Sequence, residues 1–99
     1  FFRLNKEEQE AIKKDFCAEK INNKDTLSLI DETNSELNFI LDPHTATALG
    51  AAKRVKDLSN TVVLGTAHPY KFLETIKLAI GKNVDPPKQF SDLSKKIEK

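Results

Sequence analysis

Four side chains stand where their types and spacing could do chemistry. Asp42 and His44 lie in Leu41-Asp42-Pro43-His44-Thr45-Ala46, and Thr66 and His68 in Leu64-Gly65-Thr66-Ala67-His68-Pro69-Tyr70-Lys71-Phe72. A carboxylate, two imidazoles and a hydroxyl can bind a ligand, orient it or move protons. Each stretch reads as the start of a helix, where backbone N–H groups are free and an anion is favoured. The second also follows an apolar run, and ligands of α/β proteins gather at the carboxyl ends of buried strands. Plainer readings stand beside these. Asp42 is most simply a helix cap, and His44 and His68 are polar residues of a first turn.

Several chemistries are poorly supported. Two histidines without a third ligand nearby make a poor zinc site. Cys17 is the sole cysteine, which allows neither an internal disulfide nor a cysteine-based metal site. At a helical core position it reads as a small buried hydrophobe. A Ser-His-Asp triad has no candidate nucleophile on an exposed elbow, and three glycines, at 50, 65 and 81, build no phosphate loop. With 16 basic and 15 acidic residues the net charge is +1, no footprint for nucleic acid or an anionic membrane. No apolar run reaches the ~18 residues of a membrane span.

The elements that must position these side chains follow from periodicity and punctuation. The 99 residues are one domain at most, and 38% apolar against 31% charged is lean in core. The chain begins Phe1-Phe2 and has no methionine, as expected of a processed product or a piece of a larger chain. Asn5 caps a helix to about Lys20, with Glu8 completing a capping box. Asp25 caps a second, short helix from Thr26 to about Glu32, and Thr33-Asn34-Ser35 reads as a loop. Asp42 and Pro43 open a third helix that ends near Asp57 and carries a small-residue face, Ala48 and Ala52.

Thr61-Val62-Val63-Leu64-Gly65 is a continuous apolar, β-branched run and predicts a strand buried on both faces. Phe39-Ile40-Leu41 is the one further candidate strand. Pro69 opens a fourth helix that stops at Gly81, Asn83 to Gln89 is an extended linker, and Ser91 to Lys99 forms a last helix. The predicted fold class is an α/β fragment, mostly helical, with four to five helices and one buried strand at 61–65.

Taken in order, Leu-Asp-Pro-His-Thr-Ala and then Val-Val-Leu-Gly-Thr-Ala-His-Pro-x-Lys-Phe resemble the end of threonine synthases, which are fold-type II pyridoxal-phosphate enzymes. The resemblance is clear from Ile40 to Lys88 and thinner from Asn5 to Asn38. It implies that residues 1–99 are a single C-terminal segment: a helical lead-in at 1–38, a cofactor-proximal helix–strand–helix at 39–88 and a C-terminal helix at 89–99. It implies conversion of O-phospho-L-homoserine and water to L-threonine and phosphate with pyridoxal phosphate, in the cytoplasm. Thr66 matches the hydroxyl that faces the pyridine nitrogen, a milder partner than a carboxylate. Asp42 and His44 fall on the helix flanking the ring's nitrogen edge, in wall or supporting roles, and His68 either orients Thr66 or caps its own helix.

The same resemblance puts the Schiff-base lysine, the glycine-rich cofactor loop and the substrate-phosphate contacts upstream. The 99 residues alone are therefore expected to be inactive, to partner with the rest of the enzyme chain and, when isolated, either to self-associate through the 61–65 strand or to hold that strand against Phe39–Leu41. Two other readings remain at this stage: another fold-type II lyase, such as a threonine dehydratase or a phospholyase, and a freestanding helical interaction module.

Overall fold

The computed structural model describes residues 2–55, 58–93 and 95–96. Helix α1 (Lys6–Asp15) starts at Asn5, whose carboxamide accepts from the Glu8 amide at 2.9 Å, while the Glu8 carboxylate accepts from the Asn5 amide at 2.8 Å. The helix stops at Phe16 and not at Lys20, and it buries none of its residues. Cys17 is exposed, which corrects its reading as a buried hydrophobe. A helix that buries nothing offers no core for the residue that follows it.

Helix α2 (Asn23–Leu37) is capped by Asn22, not Asp25, and runs straight through Thr33-Asn34-Ser35. Thr26, Leu29, Ile30 and Thr33 are buried along one side. That packing outweighs the weak helix propensities of Thr, Asn and Ser. Asn38 then ends the helix in the left-handed region at φ 51°. Helix α3 (Pro43–Lys53) has the expected Asp42 cap and first-turn proline. It ends at Lys53; the predicted end at Asp57 lies outside the described residues.

A 3₁₀ turn (Pro69–Phe72) follows His68 and leads into α4 (Leu73–Ile80), which stops at Gly81 with φ 71° as its punctuation predicts. Helix α5 (Lys88–Leu93) begins at Lys88 rather than Ser91.

The core forms where α2 packs against both α3 and α4. Ile30, Ala46 and Ile76 are its deepest members, with Leu29 and Leu41 beside them. Gly50 lets α3 lie close to α2, since a Cβ there would come within 2.8 Å of Leu29 Cδ1 and 3.1 Å of Ile21 Cγ1. Arg54, at the end of α3, donates to the Lys20 carbonyl at 2.7 Å and so ties the α1–α2 connection to this core.

The predicted strand at 61–65 does not form, and no strand occurs among the described residues. The Thr61 amide donates to the Leu58 carbonyl in a turn, and Val62 and Leu64 are 83% and 71% exposed. A strand must pair its backbone donors and acceptors. Phe39–Leu41, the other candidate, is irregular too and offers no ladder. The expected mostly helical chain of four to five helices holds among the described residues, and the α/β label falls with the strand: residues 61–66 are an open, non-regular segment. The radius of gyration is 17.5 Å, against about 13 Å for a compact domain of this length. No helix among the described residues is long and apolar enough to cross a membrane.

Candidate functional site

Asp42 is the best-anchored polar side chain of the four candidates, only 3% exposed. One carboxylate oxygen, Oδ1, accepts from the amides of His44 (2.9 Å) and Thr45 (3.2 Å), and Oδ2 accepts from the Thr45 hydroxyl. The His44 ring adds Nδ1 at 3.4 Å from Oδ1. Burial pushes the carboxyl upward, but the Thr45 hydroxyl, the two amides and the His44 ring outweigh it and hold Asp42 below its ordinary value. Asp42 is thus an ionised anchor with both oxygens committed to the start of α3.

His44 is mostly exposed, and its ring lies 5.1 Å from that of Phe72. It therefore bridges the start of α3 and the 3₁₀ turn. Thr66 is exposed at the end of the open segment. Just before it, Gly65 lies against the start of α3, where a Cβ would sit 3.7 Å from Thr45 Oγ1. Leu41, Asp42, Thr45, Gly65, Ala67 and Pro69 line one shared cleft of ≈ 100 Å³. Ligand pockets usually run to about 300–1,000 Å³, so this cleft is too small to enclose such a ligand by itself. The fold brings the two sequence motifs together, with Thr66 between two of the lining residues.

His68 is not among the lining residues. Its Nδ1 accepts from the Tyr70 amide at 3.4 Å, the capping role, and its ring stacks on Phe90 at 4.4 Å. Tyr70 closes the aromatic group, 4.9 Å from His68 and 5.3 Å from Phe90. No group of three or more potential metal ligands occurs among the described residues.

Sequence reasoning missed two residues. Thr45 holds Asp42 and faces Gly65; its place three residues after the cap was a usable signal. Phe90 left no local signal, because its contact with His68 comes from the chain folding back.

The family profile for the C-terminal part of threonine synthase matches residues 45–99. Threonine synthase from Schizosaccharomyces pombe is 36% identical over 81 residues, covering 77% of this chain and 16% of that protein. Threonine synthase from Saccharomyces cerevisiae is 34% identical over 116 residues, covering 98% of this chain and 23% of that protein. The crystal structure of PLP-bound threonine synthase from Brucella melitensis superposes with a TM-score of 0.83 at 31% identity, over 98% of this chain and 21% of that one. The chain thus spans about a fifth of the length of these relatives.

Proposed function

The chain belongs to the threonine synthase family, and from that premise we propose that it is the C-terminal part of an enzyme making L-threonine and phosphate from O-phospho-L-homoserine and water. The observation that carries this reading is the match of residues 45–99 to that family's C-terminal profile. The match to a PLP-bound relative supports pyridoxal phosphate as the cofactor. The family match tells against a freestanding helical module.

The residues present fit that cofactor. Asp42 is buried and turned onto the start of α3 by three hydrogen bonds, so it is poorly placed to face a ring nitrogen. Thr66 is exposed and stands in sequence between Gly65 and Ala67, which line the cleft, though it does not line the cleft itself. A hydroxyl can donate to an unprotonated nitrogen. We assign Thr66 the pyridine nitrogen, Asp42 and Thr45 the fixing of the wall behind Gly65, His44 the edge of that wall, and His68 the cap after the turn. When bound, the cofactor supplies an electron sink for carbanions. Thr66 would orient the ring through its nitrogen, and the α3 start would keep Gly65–Ala67 at a fixed distance from it.

Residues 39–88 then form the cofactor-proximal part of a cytoplasmic enzyme. The exposed Val62 and Leu64 are covered by the rest of that enzyme, and in the isolated chain they favour self-association.

The test is Thr66→Val in the intact enzyme. Loss of the hydroxyl should lower turnover by about 1–3 kcal/mol, roughly 5- to 140-fold, with little change in melting temperature. Thr66→Ser should keep most activity. Unchanged turnover in Thr66→Val would remove Thr66 from this role. Phosphate release without threonine in the wild type would move the enzyme to another lyase of the superfamily.

A further inference from the structure

The C-terminal helix reaches back to His68, two residues after Thr66. Phe90 of α5 stacks on His68 with ring centroids 4.4 Å apart and planes 29° apart, and it also meets Tyr70. Phe90 itself is half-buried. His68 is the residue through which the chain passes from Thr66-Ala67 into Pro69, and its Nδ1 holds the Tyr70 amide. That cap bond is long, so it restrains the ring weakly by itself. The stack supplies a second restraint from a different part of the chain. Two restraints on one ring hold the backbone on both sides of it, including Ala67, the one residue between His68 and Thr66.

We propose that Phe90 is a positioning residue for the cofactor turn: it clamps His68, and through His68 it sets where the Thr66 hydroxyl stands. The C-terminal helix is then part of the apparatus that holds the cofactor, although none of its residues lines the cleft. This rests on the cofactor reading above.

The experiment uses the intact enzyme freed of cofactor, titrated with pyridoxal phosphate and followed by the cofactor's absorbance, with melting temperature measured in parallel. Phe90→Leu keeps apolar volume and removes the ring. Phe90→Tyr keeps the ring. The expected result is cofactor affinity weakened roughly 2- to 12-fold in Phe90→Leu, the worth of an aromatic pair, and within about twofold of wild type in Phe90→Tyr.

A cycle with His68→Asn, which retains a capping side chain, isolates the stack. In that background Phe90→Leu should have no further effect. Wild-type affinity in Phe90→Leu would overturn the proposal, as would equal losses in the Leu and Tyr variants or an undiminished Phe90→Leu effect in the His68→Asn background. A wild-type protein that binds no pyridoxal phosphate would overturn the cofactor reading instead, so the two failures are distinguishable.

Discussion

Asp42-Pro43 and His68-Pro69 follow one local plan, a polar cap and then proline in the first turn, yet they end in opposite surroundings. Asp42 is buried, takes three protein hydrogen bonds and opens a helix whose Ala46 is fully buried in the core. His68 is exposed, takes one long hydrogen bond and opens a 3₁₀ turn that buries no residue. The cap alone does not decide how firmly a helix start is held; what lies behind it does. In this chain the firm start becomes the wall of the cleft. The other start adds to its long cap bond only ring contacts, with Tyr70 and with Phe90.

The comparison breaks first at Asp42. Asp42→Ala leaves the His44 and Thr45 amides and the Thr45 hydroxyl without their acceptor, and should cost roughly 2–3 kcal/mol in urea unfolding of the intact enzyme. The loss should depend on pH in a definite direction. The folded carboxyl sits below its unfolded value of 3.8. Its contribution is therefore complete above that value and disappears as pH falls through the lower, folded value. The difference between wild type and Asp42→Ala should be flat above about pH 5 and shrink in acid. A difference that grew in acid would contradict the assignment.

His68→Ala is the smaller counterpart. It removes one long cap bond and an exposed stack, and should cost about 0.5–1 kcal/mol. A loss equal to that of Asp42→Ala would erase the contrast between the two starts.

Much of the fold was legible because it is locally encoded. Asn5 with Glu8, Asp42 with Pro43, His68 before Pro69, and Gly81 are each read within four residues, and each appears as its type predicts. The failures are non-local. Thr33-Asn34-Ser35 reads as a loop on propensity, but the chain is helical there because Ile30 and Thr33 meet the core. The run at 61–65 has strand composition, but a strand exists only through its neighbours, and none of the described residues supplies one. At the candidate site, the two motifs were visible in sequence and their convergence on one cleft was not. That convergence depends on Gly65 lying against Thr45, 20 positions away.

The most direct test of the account is the structure of the intact enzyme loaded with pyridoxal phosphate. The account predicts the Thr66 hydroxyl within hydrogen-bond reach of the pyridine nitrogen, about 2.5–3.2 Å, with Asp42 still holding His44 and Thr45. A carboxylate at that nitrogen, or a ring bound away from the Asp42–Gly65 wall, would contradict it.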